Sequence, residues 1–544
     1  MSKAVPEQRF GYLLPTAVLG IGIALTLVLQ LYSRDGVLFS GDGGLKALLA
    51  QQWAAGVWQF DLRIPVAGWI EALWQQGLYP FTPPYVYEQG DRFFITFPFT
   101  FPLVTAPFYG LLGYRGLYVV PVVALWAVWW RMAQIGRRLQ LAAPVLAAGL
   151  VSAVLAAPLI IYGAMYWEHT LAVALAFWGV SMALFPKKDS LGLMEAIAAG
   201  ILVGLSVWFR PEFLCLVAIL GGLLAVSVFK IKSLAWLNPA PGRIWAFGLA
   251  MVATVLIFFG LNMVIYGHPL GIHALQIVEE SSLKQQVKQA IASYRQLVGS
   301  LVHYFPLVWF VMAMAIAGLW ITPLRLNPRS RLVLLLCGAF VLMVPLIIPP
   351  GAGGKQWGPR FYLVLVPLLS LLAAQQLQQS WRLGGRIRYL PVVLLAATCF
   401  LGIYGNLYGA TWGQQRNQTY GSVPLSGNYG PIAPAIAALA EQDSSYLAMS
   451  HQFVAQQLWP ALPDKIFFRT ETAEATQTLG AGLLDQGIEQ FIYICYPHRD
   501  CPVPELPGDE LTFRHSDGTY RLEFSLLGEL GKYPTHRVDL VAVE

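Results

Sequence analysis

The residues best placed to do chemistry come early, in Ser40-Gly41-Asp42-Gly43-Gly44-Leu45-Lys46. One carboxylate stands among small residues, just after the first long apolar stretch and at the expected start of a helix over 45–53. Small neighbours leave room for a substrate to approach the backbone and the acid. A carboxylate so placed can abstract a proton or bind a metal. Its other use is structural, as a helix cap beside a Gly-rich turn. Three later stretches offer further chemistry. Trp167-Glu168-His169-Thr170 sets an acid beside an imidazole. Arg210-Pro211-Glu212 sets a guanidinium two residues from a carboxylate, which it can bind as a structural ion pair. Gly351 to Tyr362 is Gly-rich and carries Lys355, Trp357 and Arg360. Glycines let backbone N–H groups and cations close on an anion such as a phosphate. The structural alternative for these loops is anchoring of aromatic rings and cations among lipid headgroups.

The elements that position these residues follow from composition. The 544-residue chain is 56% hydrophobic and only 12% charged, where soluble domains carry about 25% charged residues. It therefore reads as an integral membrane protein, and its net charge of +6 does not point to nucleic acid. Spans must be helical, because backbone groups in lipid need internal partners. About eleven are expected by the length rule: 12–31, 114–130, 142–162, 170–185, 191–209, 213–229, 244–266, 302–321, 332–348, 361–377 and 390–408. The first lacks a cleavage pattern and reads as a retained span. Basic residues cluster in alternate loops, from Lys3 and Arg9 through Arg137, Lys187, Lys230 and Arg329 to Arg386. That side is cytoplasmic by the positive-inside rule. The N-terminus is then inside, and every stretch singled out above faces outward.

The first outer loop, 32–113, is long and rich in Trp, Tyr and Pro. Helices are expected over 45–58 and 64–76, with Trp53, Trp58, Trp69 and Trp74 at the lipid–water boundary. The Pro-punctuated piece 97–112 reads as a helix on or in the outer leaflet. The outer loop after residue 268 is expected to be helical over 279–297. The chain divides at 408/409 into a membrane part and a soluble outer part. In the latter, a helix over 431–442 precedes strands at 445–450, 465–470 and 490–496, separated by helices at 452–458 and 473–486. A hairpin of 520–526 and 536–543 closes it. That alternation predicts a small α/β layer. Cys495 and Cys501 lie outside the cytoplasm, close enough in sequence for a disulfide. Cys215, Cys337 and Cys399 lie in apolar runs and read as inert.

Taken together, Gly41-Asp42-Gly43-Gly44, the piece from Phe97-Pro98 to Phe108-Tyr109, Trp167 to Thr170, Arg210-Pro211-Glu212 and Gly354 to Arg360 resemble the polytopic GT-C glycosyltransferases. The likeness is to bacterial members related to protein O-mannosyltransferases and the aminoarabinose transferase. Order and sidedness carry it, along most of the membrane part, and the soluble outer tail fits the same architecture. The resemblance implies a plasma-membrane (inner membrane) enzyme of the bacterial cell envelope, taking a sugar from a polyprenyl-phosphate donor. Its acceptor would be a glycan, lipid or protein. Asp42 takes the general-base role, with Lys355, Arg360 and Arg210 on the donor phosphate and Glu168, His169 and Trp357 orienting substrate. Many members carry a second acid beside the first. Here glycine flanks Asp42, so a divalent cation (Mg2+ or Mn2+) would have Asp42 alone, and no cofactor is otherwise implied.

Two other functions fit parts of the pattern. A flippase or transporter for lipid-linked glycans would carry ionisable groups at mid-membrane and broken helices in facing repeats, whereas these spans hold few acids and no repeat. A ligase moving a whole glycan would use the same outer site as a single-sugar transferase.

Overall fold

The computed structural model describes residues 12–186, 191–228, 241–272, 275, 283–348, 356–413, 422–425, 432–497, 499–503 and 511–543. Contacts divide the chain into two compact units, Met1–Tyr32 with Tyr118–Ser426, and Ser33–Leu117 with Gly427–Glu544. The expected division at 408/409 follows composition. Contacts follow another line, because the long first loop clusters with the tail.

The membrane unit is helical. A helix lies within or across each of the eleven apolar stretches named above, from Leu13–Leu29 to Leu390–Ile403. Among the described residues of both units, five helical stretches are long and apolar enough to cross a membrane: Leu13–Tyr32, Thr100–Arg138, Gly242–Tyr266, Pro328–Leu346 and Gly385–Thr411. A sixth counts if Ala290–Tyr304 and Leu307–Trp320, bent by 93°, form one broken span. Others are shorter than their apolar stretches. Residues 142–162, for example, break into Ala143–Val154 and Leu159–Tyr162, the second following Pro158, which cannot donate a helical hydrogen bond. Hydropathy runs through such a break; helix geometry does not. Small residues bring the helices into backbone contact. A Cβ on Gly200 would lie 2.3 Å from the Phe247 carbonyl oxygen, and one on Gly179 would lie 2.6 Å from that of Ala199.

The second unit joins the outer loop to the tail. Its loop part holds the helix Gly41–Ala54, the short helix Gly68–Leu73, a small antiparallel pair of β1 (Val86–Glu88) and β2 (Phe93–Ile95), and the helix Thr100–Leu112. The tail adds a six-stranded sheet: β3 (Tyr446–Met449), β4 (Ile466–Arg469), β5 (Gln490–Ile494), β6 (Leu511–His515), β7 (Gly518–Leu530) and β8 (Tyr533–Val543). The order is β4-β3-β5-β8-β7-β6. The first three strands are parallel; β5–β8, β8–β7 and β7–β6 are antiparallel. The expected α/β layer and closing hairpin are both present, and β6 extends the hairpin beyond what the sequence reading includes. A disulfide links Cys495 and Cys501. Trp53 and Trp74, expected at the membrane boundary, are instead core residues, 2% and 6% exposed. Their indole N–H groups explain this: Trp53 donates to the Gln59 carbonyl at 2.7 Å and Trp74 to the Phe467 carbonyl at 3.3 Å. A ring with its polar edge satisfied inside the fold need not seek an interface.

Candidate functional site

Asp42 lies in the first turn of the helix that starts at Gly41, four residues earlier than expected. Carboxylates are favoured there, next to the unpaired amide groups of the helix start. The Ser40 hydroxyl sits at the cap position but donates to the Asp42 carboxylate and caps no backbone N–H. Lys46, one turn on, places its Nζ 3.6 Å from the same carboxylate and 4.6 Å from the centre of the Phe97 ring. Lys46 is buried, whereas the Asp42 side chain keeps 18% of its surface exposed.

The glycines around Asp42 do not open a substrate channel. A Cβ on Gly44 would lie 2.0 Å from the Gln456 backbone oxygen, and one on Gly41 would lie 2.4 Å from Gln456 Oε1. The third, Gly43, faces Leu38. The small residues thus admit the tail helix Phe453–Gln457 against the helix bearing the acid. Gln456 Nε2 donates to Gln452 Oε1 at 3.2 Å, and that oxygen also accepts the Thr82 amide at 3.1 Å. The sequence reading missed these two glutamines. Nothing in their local pattern sets them apart, because their partners lie some 370 residues away for Gln452.

In the membrane unit, Glu168, Arg210 and Glu212 come together. Arg210 Nη1 donates to Glu168 Oε1 at 3.0 Å and its Nε to Glu212 Oε1 at 2.7 Å. One guanidinium thus holds two buried carboxylates, an arrangement that leaves a net negative charge. Arg210 follows the helix Leu193–Phe209, Glu212 precedes Phe213–Val228, and Glu168 precedes His169–Leu184, so the triad ties three helix ends. Arg360 shares its neighbourhood: its guanidinium lies 4.7 Å from the Phe361 ring centre, and that of Arg210 lies 5.3 Å from the same centre. Arg360 also lies 5.8 Å from the Trp167 ring. The buried His169 packs between Trp167 and Tyr162, at ring distances of 5.0 and 5.2 Å. Lys355 lies outside the described residues.

Trp357 is buried, and its polar groups face the fold. Its carbonyl accepts from the Tyr162 hydroxyl at 2.8 Å, and its indole N–H donates to Asn406 Oδ1 at 3.2 Å. The Asn406 amide in turn donates to the carbonyls of Ala156, Tyr304 and Gly402 at 3.2, 2.7 and 2.8 Å. The next residue, Gly358, donates its amide to Ser422 Oγ at 3.1 Å. The loop carrying Arg360 is therefore pinned on both faces. Asn406 is a second omission of the sequence reading. A lone amide in an apolar span was the available signal, since intramembrane polar groups need partners.

The acids do not form a metal site. The ammonium beside Asp42 opposes a divalent cation, and Glu168 and Glu212 already bind Arg210. Among the described residues no three His, Cys, Asp or Glu side chains gather as a ligand set.

No family model matches the chain, and no curated protein matches it. Solved structures do. ArnT from Cupriavidus metallidurans in the apo state matches with a TM-score of 0.55 at 14% identity, over 96% of this chain and 98% of that one. The same protein bound to undecaprenyl phosphate matches with a TM-score of 0.50 at the same identity and coverage. The archaeal oligosaccharyltransferase AglB from Archaeoglobus fulgidus, in complex with an inhibitory peptide and a dolichol-phosphate, gives 0.46 at 11% identity, over 88% of this chain and 69% of that one. At such identities the likeness is one of architecture: the chain has the fold of ArnT.

Proposed function

We propose that the chain is a glycosyltransferase that moves a sugar from a polyprenyl-phosphate donor to an acceptor on the outer face of the plasma membrane. The observation that carries this reading is the fold shared along nearly the whole chain with ArnT, one structure of which is bound to undecaprenyl phosphate. The topology that goes with it has about eleven spans, a cytoplasmic N-terminus and an extracytoplasmic tail.

In the reaction, the acceptor oxygen attacks the anomeric carbon and forms the new C–O bond. The bond from that carbon to the phosphate oxygen breaks, and the lipid phosphate leaves with the electron pair. Asp42 accepts the acceptor's hydroxyl proton, which becomes acidic as the bond forms. The Lys46 ammonium and the Ser40 hydroxyl hold the Asp42 carboxylate in position. Arg360, Arg210 and Lys355 meet the charge that grows on the phosphate. Glu168 fixes Arg210, His169 packs beside Arg360's partner Trp167, and Trp357 holds the Arg360 loop in place.

The test is transfer from radiolabelled polyprenyl-phosphate sugars by the full chain in liposomes, wild type against Asp42→Asn. The expected result is transfer by wild type and a loss of about a hundredfold or more in the variant, with donor binding retained. Equal transfer by both would make the acid structural. Movement of labelled lipid across the bilayer without transfer would replace the reading with a flippase.

A further inference from the structure

A row of aromatic rings runs from the Asp42 helix across the tail, all within the second unit. Phe97 lies 4.6 Å from Lys46 Nζ, which is itself 3.6 Å from the Asp42 carboxylate. Tyr85 follows at 6.5 Å from Phe97, Phe453 at 5.5 Å from Tyr85, and His451 at 4.5 Å from Phe453. Tyr496 backs the far end, stacked on His451 at 5.4 Å and set against Phe453 at 5.6 Å. Phe97, Tyr85, Phe453 and His451 are each partly exposed, whereas Tyr496 is buried. The four outer rings come from stretches more than 350 residues apart, and the Gln452 bond to the Thr82 amide holds those stretches in register.

Each of these four rings leaves part of its surface uncovered by the fold, and a ring presents a negative face bounded by a positive edge. Such faces take the C–H faces of sugars, while polar groups between them take the hydroxyls. The polar groups are here. His451 Nδ1 accepts the Phe453 amide at 3.1 Å, which leaves Nε2–H as a donor in the neutral ring. Lys532 lies 5.8 Å from the Tyr496 ring. An acyl or prenyl chain would want an unbroken apolar trough instead. A row of several rings also exceeds the reach of one sugar.

We infer that this row is the acceptor's saccharide-binding strip, and that the acceptor is an oligosaccharide or a glycan-bearing molecule whose end reaches Asp42. The occupant's identity rests on the transferase reading above. The strip divides the labour of the second unit: its first-loop end carries the base, and its tail end carries the extended part of the acceptor.

The experiment measures binding of maltohexaose, cellohexaose, chitohexaose and mannohexaose, each against its monosaccharide, to the full chain in nanodiscs. At least one hexasaccharide is expected to bind about tenfold more tightly than its monosaccharide. Tyr85→Leu and Phe453→Leu keep apolar volume but lose the ring face, and each is expected to weaken that binding about five- to tenfold. Phe453→Trp should restore it, and Tyr520→Leu, in a ring pair away from the row, should leave it unchanged. Thermal unfolding of each variant separates lost binding from lost folding. The proposal is overturned if no hexasaccharide exceeds its monosaccharide, if folded Leu variants bind as wild type does, or if undecaprenyl phosphate in the nanodisc displaces the sugar. Hexasaccharide binding and sugar transfer are read in separate assays, so failure of the strip and failure of the transferase reading are told apart.

Discussion

The two units hold their charged groups by opposite means. In the membrane unit, Arg210 is bound between Glu168 and Glu212, and all three are largely sealed from water. In the second unit, Asp42 pairs with Lys46 but keeps an open edge, and the helix that bears it is framed by neutral contacts: Gly41 and Gly44 against Gln456, and Gln456 against Gln452. An ion pair without water must be complete, since each charge left alone is costly. A group that must exchange a proton needs the reverse, a rigid frame with a free face. The triad therefore reads as a brace at three helix ends, and the Asp42 turn has the open edge that the proposed proton transfer requires.

The sharpest break of this contrast is at Arg210. Arg210→Met leaves two buried carboxylates without their counter-ion, and about 3–5 kcal/mol of stability should be lost. Thermal unfolding of the full chain in nanodiscs measures it. Adding Glu168→Gln and Glu212→Gln should return most of the loss, because the uncompensated charge is then gone. If Arg210→Met alone unfolds like wild type, the triad is not a brace.

The corresponding break in the second unit is steric and smaller. Gly44→Ala drives a methyl group onto the Gln456 backbone oxygen, and overpacking of this kind costs about 1–3 kcal/mol. Gly41→Ala meets the Gln456 side chain, its Oε1 most closely at 2.4 Å, so Gln456→Ser should relieve most of the strain, whereas it should not relieve Gly44→Ala. Equal rescue of both would mean that the helix Phe453–Gln457 moves freely and does not frame Asp42.

This difference also marks what the sequence could reveal. Helix positions in the membrane unit were legible because lipid enforces long apolar runs, and the pairing of Arg210 with Glu212 was legible because the two are near neighbours. Span lengths were not, since hydropathy passes smoothly over Pro158 while the helix cannot. In the second unit, the tail's alternation of strands and helices was legible from local pattern. The burial of Trp53 and Trp74 was not, because it depends on Gln59 and on Phe467, and the latter lies 393 residues away. The glycines around Asp42 looked like space for a substrate; only the fold reveals that Gln456 occupies it.

The smallest expected effect sharpens the contrast through pH. In the second unit, burial holds the His451 and His536 imidazoles below the ordinary value of 6.5. At His451, Glu471 opposes the shift while Arg499 and Arg469 add to it. Folding thus favours the neutral rings, and below 6.5 the unfolded chain binds more protons than the folded one. Stability must then rise with pH through the window from the lowered folded values up to 6.5, stay full above it, and be lost as pH falls through it. Thermal unfolding followed from about pH 8 to about pH 5 should therefore fall on the acid side, and His451→Gln with His536→Gln should flatten that fall. A slope unchanged by the double substitution would assign the acid sensitivity to carboxylates, and the neutral framing of the second unit would extend to its histidines as well.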